Sequence, residues 1–401
     1  MSQSWRAALN AAALYLIIGA NLPYLPVWLE HVRGLSGTEI GAAASVAVLL
    51  RTVFGPLTAV WAAQIGLRRT MALLAFALLA AYLALFPDGP HAAVLALAAV
   101  IYLVWGAMMP LSEAVLMAAT KEGFPDYGFA RAIGSAAFVG ASLLVGALAR
   151  AHGPEVVLQW LIGAAILMLA STLYLKDAPP PAMRPSLAQI FAGGVRLYRD
   201  RRILTAALAM AFIQSSHAYY YNLGSNIWLR QGIDAAHVGA LWSVGVVVEV
   251  FLLALSARIF KGWTPGALIL LGGAGAALRW SLTSFLPPLE ALYAVQMLHA
   301  LSFAATHLGM ILFIAEEVPE DQTALAVAVN SALAFGPLMA VGGVIVGLVY
   351  DANAAGGAAA QAQGYWLMAA MAGVGAVLSF GVLRRRQPQS AGVGGATAPS
   401  E

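Results

Sequence analysis

The chain is built from long apolar runs, each about as long as a bilayer is thick. A membrane-spanning helix needs about 20 predominantly apolar residues. Twelve runs meet this requirement, at 8–29, 39–62, 70–86, 92–118, 131–149, 156–175, 203–228, 238–259, 266–285, 290–314, 323–349 and 364–383. The connections between the runs are short, polar and rich in Pro or Gly, with one exception. We therefore predict an all-α integral membrane protein with twelve transmembrane helices.

Composition supports this prediction and excludes several classes of protein. Hydrophobic residues make up 61% of the chain and charged residues only 10%, whereas a soluble domain carries about 25% charged residues. So few charges cannot cover a surface that faces water, so much of this surface must face membrane lipid. The chain has no cysteine, which excludes disulfides and Cys-ligated metals. It has no metal-binding His spacing and no GxxxxGK[ST] phosphate loop, so we expect no metal, no cofactor and no ATP drive.

The long connection, residues 176–202, divides the runs into six and six. We predict an N-terminal bundle at 8–175, a central cytoplasmic loop at 176–202 with an amphipathic helix in its second half, a C-terminal bundle at 203–386 and a disordered tail at 387–401. If the N-terminus is inside, 15 of the 21 Lys and Arg residues are cytoplasmic and 3 are outside. This asymmetry predicts cytoplasmic termini. Basic residues used as topology signals give no reason to expect a nucleic-acid partner.

Several ionisable residues interrupt the apolar runs. They are Arg51, Glu113, Arg131, His217, Glu249, Arg279, His299 and His307. A charged side chain at the centre of a spanning helix costs about 2.5–3.5 kcal/mol, so we expect these side chains to face the protein interior. They could staple helices together or line a water-filled pathway. The size of the set favours a pathway, because apolar packing could replace a staple without loss of stability.

Hairpin geometry predicts which of these side chains meet. In an antiparallel helical hairpin, residues equidistant from the turn lie at the same depth. Glu113 and Arg131 are equidistant from residue 122, so we expect them to face each other in the cytoplasmic half. Arg279 and His299 are equidistant from residue 289, which places both near mid-membrane. Glu249, near the middle of the eighth run, is the expected counter-ion of Arg279.

This second group, Glu249, Arg279 and His299, is the predicted site of proton coupling. Removal from water favours the protonated form of a carboxyl group, whereas a neighbouring Arg favours the ionised form. The balance between the two effects allows a carboxyl group to load and release a proton as its surroundings change. Glu249 is therefore the predicted proton carrier.

Polar and aromatic residues inside two runs predict a substrate-binding wall. The seventh run contains QSSHAYYYN, with His217 and Tyr220, and ends at Trp228; the first run carries Tyr24 in a proline-broken segment. A polar block at membrane depth needs a wet or polar neighbour, although a satisfied packing network is the alternative interpretation. Arg51, far from both ends of its run, is expected to neutralise an anionic substrate or to pair with an acid.

Several stretches closely resemble the phenylpropionate permeases of the major facilitator superfamily. They are residues 217–261, from HAYYYNLGSNIW to LALSARIFK, together with PLSEAVL (110–116), DYGFARAIGSAAF (126–138), LRWSLTS (278–284) and MLHALSFAATH (297–307). The resemblance implies two pseudo-symmetric six-helix bundles, a monomer, the inner membrane of a bacterium and transport by alternating access. It also implies symport of H⁺ with a small carboxylate, aromatic or otherwise.

These permeases are similar to lactose permease. There, an acid on helix 4 and an Arg on helix 5, eighteen residues apart, hold the substrate, and Glu113 and Arg131 match both residue types and spacing. The acid on helix 8 matches Glu249. An Arg on helix 9 and a His on helix 10, twenty residues apart, match Arg279 and His299. The resemblance thus implies a substrate site in the first half and a proton site in the second.

One position departs from that pattern. In lactose permease a proton-carrying carboxylate stands three residues after the His, and this chain has Ser302 at that position. This leaves Glu249 as the implied proton site, assisted by His299 or His307. Arg51, Arg131 or Arg279 would attract a carboxylate substrate. A carboxylate such as Glu113 accepts hydrogen bonds and favours a hydroxylated substrate. Sugar or nucleoside symport therefore stays open, as does export by the same fold, and a channel would instead show flux that is neither saturable nor proton-driven.

Overall fold

The computed structural model describes residues 2–120, 124–176 and 187–384, and these residues form helices, turns and coil without a strand. The all-α prediction is confirmed for this part of the chain. The tail at 387–401 and residues 177–186 of the central loop lie outside the described residues. The helices of the first half are α1 (Gln3–His31), α2 (Gly37–Ile65), α3 (Leu67–Leu85), α4 (His91–Ala119), α5 (Tyr127–His152) and α6 (Val156–Leu173).

The second half begins with the predicted amphipathic helix and continues through shorter segments. They are α7 (Leu187–Leu197), α8 (Arg201–Ser215), α9 (Ser225–Arg230), α10 (Ala235–Ile259), α11 (Pro265–Ser284), α12 (Leu289–Met297), α13 (Thr306–Glu317), α14 (Thr323–Ala334), α15 (Pro337–Ala352), α16 (Gly357–Ala362) and α17 (Gly364–Ser379). Within the described ranges, eleven helical stretches are long and apolar enough to cross a membrane. The predicted seventh crossing is not among them.

That seventh run, predicted as one helix over 203–228, is broken into α8 and α9. A turn and the π-helical turn Tyr220–Gly224 separate the two helices. Ser216 contributes to the break, because its hydroxyl donates to the carbonyl of Ile213 at 2.6 Å and such local bonds compete with regular helix. The segment still crosses the bundle, because Arg202 contacts Glu317 at one face and Arg230, at the end of α9, contacts Glu30 at the opposite face.

Two further predicted spans are irregular. The tenth contains the π-helical turn Ala300–Ala305 between α12 and α13, and such turns often mark functional sites. The eleventh is broken between α14 and α15 at Gly336. Pro337 explains this break, because proline has no N–H to donate and disfavours helical geometry in the residue before it.

The two faces of the bundle are defined by where the helices begin and end. Arg6, at the start of α1, donates to the carbonyl of Tyr174 just beyond α6 at 3.0 Å. Arg202, at the start of α8, forms an ion pair with Glu317 at the end of α13 at 2.9 Å. We call this side, which carries the start of α1 and the end of α17, the termini face. The opposite side is the far face.

At the far face, α2 and α15 join the two halves through backbone contact. A β-carbon on Gly41 would overlap the carbonyl oxygen of Gly343, so only glycine permits this approach. At the helix ends, the Asp351 carboxylate accepts from the backbone N–H groups of Gly37 and Thr38, both at 2.8 Å. An acid from one half thus caps the first turn of a helix in the other, where the helix dipole favours negative charge.

A second far-face contact joins α5 and α10. A β-carbon on Gly239 would overlap the carbonyl oxygen of Ser142. The Tyr24 hydroxyl lies within bonding distance of the carbonyls of Ser142 and Ala235, at 2.8 and 3.0 Å. Tyr24 is buried, so in this conformation its polar end belongs to a contact between the halves.

A third contact joins α1 to the second half by ionic and polar bonds. Glu30 forms an ion pair with Arg230 and accepts from the side-chain amide of Asn226. Tyr350 donates to the same carboxylate at 3.0 Å. These three contacts close the far face, and each joins an element of the first half to one of the second.

The ion pair in the termini half of the bundle is only partly covered by protein. Glu113 lies in the last two turns of α4 and Arg131 in the first two turns of α5, yet their side chains are 31% and 38% exposed. Ionised groups in otherwise apolar spans are stable there only if water or a charged partner reaches them. The structure is therefore a conformation in which contacts between the halves close the far face, while the charged pair of the termini half stays partly uncovered.

Replacing Gly41 by leucine should prevent closure of the far face. The new side chain would occupy the backbone contact with Gly343, so the buried Ser45 hydroxyl beside it should become accessible. The chain contains no cysteine, so Ser45→Cys can be labelled with a maleimide in detergent without background. We expect labelling to be at least about tenfold faster in the Gly41→Leu background, the effect of a shift of about 1.4 kcal/mol in the conformational equilibrium.

The matched control is Gly55→Leu on the same helix, because no atom beyond its own stretch of helix lies within 4 Å of the position that a β-carbon would take there. This substitution should leave the labelling rate of Ser45→Cys unchanged. Equal labelling rates in the two leucine variants would contradict the assigned role of the glycine contact.

Candidate functional site

The centre of the second half is a fully buried arginine surrounded by neutral groups. The Nη1 atom of Arg279 lies 2.9 Å from His299 Nδ1 and 3.3 Å from Ser302 Oγ, and Nη2 donates to Gln296 Oε1 at 2.6 Å. Arg279 itself is 0% exposed. Its guanidinium also lies 4.3 Å from the ring centre of Trp280, an attractive arrangement for a cation.

His299 connects this arginine to Glu249. An arginine only donates hydrogen bonds, so His299 Nδ1 must accept and the proton of the neutral ring is on Nε2. That atom lies 3.5 Å from the Glu249 carboxylate. The predicted direct pair between Glu249 and Arg279 is therefore wrong: the imidazole stands between them, because the two residues share a depth but lie on different sides of His299.

The Glu249 carboxylate faces the interior space rather than the protein core. Its side chain is 20% exposed, compared with 10% for His299. It lies within electrostatic range of Arg131, on the opposite half, and of His307. Glu249 and His307 are thus the members of the second-half cluster that are partly exposed and lie within electrostatic range of Arg131.

His217 belongs to a packed hydrogen-bond network in this conformation, and not to the predicted substrate-binding wall. It is 0% exposed, and its Nδ1 lies 3.2 Å from the carbonyls of Ile213 and Gln214. Since carbonyls only accept, Nδ1 carries the proton and Nε2 accepts from the Ser302 hydroxyl at 3.1 Å. The packing interpretation of His217 thus describes this conformation, and Ser302 links His217 to Arg279.

Aromatic rings enclose the buried arginine. Tyr220 lies 4.6 Å from the Arg279 guanidinium and stacks on Trp242 at 4.2 Å. Trp228, predicted as a substrate contact, lies 5.8 Å from Tyr220, and Tyr365 stacks on Trp280 at 5.7 Å. The indole N–H groups of Trp242 and Trp280 donate to serine hydroxyls at 3.0 and 2.9 Å, which fixes these rings in position.

His299 also begins a stack that leads toward the termini face. Its ring lies 5.4 Å from Phe303, which lies 6.4 Å from the exposed His307. The π-helical turn Ala300–Ala305 falls inside this stack. A β-carbon on Gly245 would lie 3.3 Å from the His299 ring, so glycine allows α10 to approach it. His307 therefore stands where the stack meets water.

The predicted pair in the first half is confirmed. Arg131 forms an ion pair with Glu113 at 2.6 Å and also contacts the Tyr15 hydroxyl. Tyr127 donates to the second oxygen of Glu113 at 2.9 Å. The carboxylate and the guanidinium thus satisfy each other, and both keep an edge toward the open side of the bundle.

Arg51 and Tyr24 lie apart from these two clusters. Arg51 is in the middle of α2 and donates to the carbonyl of Phe335, at the break between α14 and α15, at 3.1 Å. A cation at the carboxyl end of a helix is favourable, so Arg51 stabilises the end of α14. Tyr24 lies at the far-face contact. Substrate binding by either residue stays a prediction.

Sequence reasoning missed several members of the second-half cluster, namely Gln296, Trp242, Trp280 and Tyr365. It treated Ser302 only as a departure from a pattern and did not expect it to bond to Arg279. One signal was available: Gln296 lies three residues before His299 in an apolar run, and residues at that spacing share a helix face. The aromatic residues gave no such signal, because aromatic residues in a spanning helix are ordinary.

The architecture and this site define a class of protein. Within the described residues, eleven helical stretches are long enough to cross a membrane. Together with two halves that touch at one face and ionisable groups toward the other, they are typical of a membrane transporter. The same fold occurs in a crystal structure of a nucleoside transporter, NupG, with a TM-score of 0.82, 14% identity, and coverage of 96% of this chain and 100% of that one. A bacterial homologue of the human lysosomal transporter Spinster, inward-facing, gives a TM-score of 0.72 at 14% identity, covering 96% and 99%.

Residues 13–358 match the MFS_1 like family, and the chain belongs to that family. It is a multi-pass membrane transporter of the major facilitator fold, as predicted. It is 29% identical over 350 residues to the probable 3-phenylpropionic acid transporter of Escherichia coli (strain K12), covering 86% of this chain and 90% of the relative. It is 25% identical over 331 residues to a maltose permease of Geobacillus stearothermophilus, covering 80% and 82%.

Replacing Glu113 by glutamine tests whether its ion pair with Arg131 only stabilises the fold or takes part in transport. Half-exposed ion pairs contribute only about 0.2–1 kcal/mol to stability, so thermal unfolding should change little. If the charge takes part in transport, uptake should fall by about tenfold or more, the effect of losing one hydrogen bond to a charged group, worth about 1.5–3 kcal/mol.

Asp88→Asn provides the comparison. Asp88 pairs with Arg33 at the far face and its side chain is 98% exposed, so the substitution should alter neither the melting temperature nor uptake. A Glu113→Gln protein that unfolds early but transports at the normal rate would identify the pair as a staple.

Proposed function

We propose that this protein is a secondary active transporter that couples H⁺ to the symport of a small aromatic carboxylate. It acts as a monomer in the inner membrane of a bacterium, with both termini in the cytoplasm. The proton gradient supplies the energy and no cofactor takes part. The observation that carries this proposal is the array Glu249–His299–Arg279, in which a solvent-accessible acid is joined through one neutral imidazole to a buried cation.

The array supports proton coupling because its members respond to one another's charge. Protonation of Glu249 removes the negative charge that faces His299 Nε2 at 3.5 Å. His299 transmits this change to Arg279 through its other nitrogen, 2.9 Å away. The affinity of the arginine for an anion therefore depends on whether Glu249 holds a proton, and linkage makes this dependence mutual.

The composition of the site supports an aromatic acid as substrate. Arg279 supplies a cation, and Tyr220, Trp242 and Trp280 supply rings that can stack with an aryl group. The relative from Escherichia coli is named for 3-phenylpropionic acid, which has both chemical features. The other two cations of the interior are already engaged, Arg131 by Glu113 and Arg51 by a helix end.

The proposed transport cycle exchanges which of the two faces is closed. With the termini in the cytoplasm, the present conformation is accessible from the inside and closed to the outside. Opening to the outside requires the contacts of α1, α2 and α5 with the second half to separate while the termini face closes. The two halves then rock about the central site, as inverted or repeated bundles do in secondary transporters.

Sugar or nucleoside symport is the second candidate. Glu113 keeps 31% of its side chain exposed, and a carboxylate is a natural acceptor for sugar hydroxyls. A maltose permease is among the relatives. Export by the same fold reverses only the direction of substrate movement.

Uptake into energised vesicles tests the proposal. Radiolabelled 3-phenylpropionate, benzoate, maltose and uridine are each supplied with and without a protonophore. We expect accumulation of 3-phenylpropionate that the protonophore abolishes. Uptake of maltose or uridine but no aromatic acid would favour the second candidate, and uptake insensitive to the protonophore would remove proton coupling.

Glu249→Gln should uncouple transport from the proton gradient. The amide keeps the shape of a protonated carboxyl group but cannot release a proton. We expect gradient-driven accumulation to be lost while exchange of labelled for unlabelled substrate continues, because exchange needs no net proton movement.

Glu290→Gln is the control, since Glu290 is an exposed residue in the first turn of α12. It should accumulate substrate as the unmodified protein does. Accumulation by Glu249→Gln that still follows the pH gradient would assign the proton to another group.

A further inference from the structure

We propose that the substrate carboxylate binds at one edge of Arg279, the edge formed by Nε and Nη2, with Gln296 and Tyr365 as additional donors. This inference rests on the proposed function and extends it, because it selects one of the three interior arginines and the atoms that bind. The substrate class it specifies is a monocarboxylate with an aryl group a short distance from the acid.

The first support is an uncompensated buried charge. Arg279 is 0% exposed, and a guanidinium does not lose its proton inside a protein. The side chains that bond to it include His299, Gln296 and Ser302, and all three are neutral. A buried cation without an anion is costly, by several kcal/mol per ion. Such a site gains more from an incoming carboxylate than either of the arginines that already has an ionic or helix-end partner.

The second support is a set of buried donors without protein partners. They are Arg279 Nε, Gln296 Nε2 and Tyr365 Oη, and all three residues are fully buried. The Gln296 amide orientation is fixed because its oxygen accepts from Arg279, so the free atom must be the N–H₂ group. Leaving a buried donor unpaired costs about 1–3 kcal/mol. Donors without acceptors call for a ligand rich in acceptor oxygens, as a carboxylate is.

The third support is the geometry of the guanidinium. Its Nε–H and Nη2–H bonds point in the same direction and form the edge that binds carboxylates by two parallel bonds. In the present conformation Nη2 of this edge bonds to Gln296 Oε1 at 2.6 Å, and Nε has no protein partner. A neutral amide oxygen therefore bonds to one of the two nitrogens that such a carboxylate pair would use, and the other nitrogen has no protein partner.

Aromatic packing places the remainder of the ligand. Tyr365 stacks on the Trp280 ring, and the Arg279 guanidinium lies 4.3 Å from the centre of that same ring. A β-carbon on Gly224 would lie 3.1 Å from both Tyr365 Oη and the Tyr220 ring. Glycine at this position of the π-helical turn therefore lets the two tyrosines draw together beside the arginine, and an aryl group bound there would be in contact with rings.

Gln296→Glu tests the location directly. The new carboxylate would occupy the Nε/Nη2 edge and neutralise Arg279 from within the protein. We expect 3-phenylpropionate to bind the purified variant about tenfold to a hundredfold more weakly than the unmodified protein, as expected for loss of hydrogen bonds to a charged group. Binding is measured by calorimetry on full-length protein in detergent.

Two comparisons isolate the effect. Gln363→Glu makes the same chemical change at an exposed residue and should leave 3-phenylpropionate binding unchanged. The alcohol 3-phenylpropan-1-ol has the same ring and chain without the charge. It should bind more weakly than the acid, and its affinity should be the same for the unmodified protein and all variants.

Tyr365→Phe gives an independent measurement should Gln296→Glu fold poorly. Its hydroxyl has no protein partner, so the melting temperature should not fall. Binding of 3-phenylpropionate should weaken severalfold, whereas binding of the alcohol should not change. If the unmodified protein binds no aromatic acid, the proposed function fails. If it binds the acid and both variants bind it equally well, or if acid and alcohol bind alike, the function stands and this location is wrong.

Discussion

The burial of the Arg279 guanidinium is the constraint on which the site depends. Because this group keeps its proton at any depth, its surroundings must supply acceptors or ring faces. That requirement fixes Nδ1 of His299 as an acceptor, orients the Gln296 amide, and explains why Tyr220 and Trp280 lie against it. The tautomer of His299 then determines which group the Glu249 carboxylate faces. One buried cation thus organises a chain of contacts that ends at the partly exposed Glu249.

Regular and irregular helices have different tasks in this molecule. The far-face contacts use regular helices, in which Gly41 and Gly239 allow backbones to touch. Such contacts either fit or separate as units, which suits motion of rigid halves. The irregular turns at Tyr220–Gly224 and Ala300–Ala305 lie instead beside the buried arginine. They place polar and aromatic side chains at membrane depth where a continuous helix would turn some of them toward lipid.

The sequence predicted the fold class and the first-half pair but not the arrangement of the second half. Apolar length predicted the crossings, and equal distance from a turn predicted that Glu113 would meet Arg131. The same reasoning gave Glu249 and Arg279 a common depth but could not give the direction in which each points around its helix, so it missed the imidazole between them. It also missed Gln296 and Tyr365, because uncharged residues in an apolar run carry no insertion penalty large enough to indicate a buried site.

Ser302 connects the departure from the lactose permease pattern to the proposed substrate. In the resembling pattern a carboxylate stands three residues after the histidine, and it would balance the arginine internally. Here the Ser302 hydroxyl lies 3.3 Å from Arg279 and 3.1 Å from His217, so it fills the space without supplying charge. A transporter with an internal carboxylate is suited to a neutral cargo, and one without it is suited to a cargo that brings its own. For the carboxylate substrate proposed above, the same charge balance would be reached in both cases, with the anion supplied by the substrate instead of the protein.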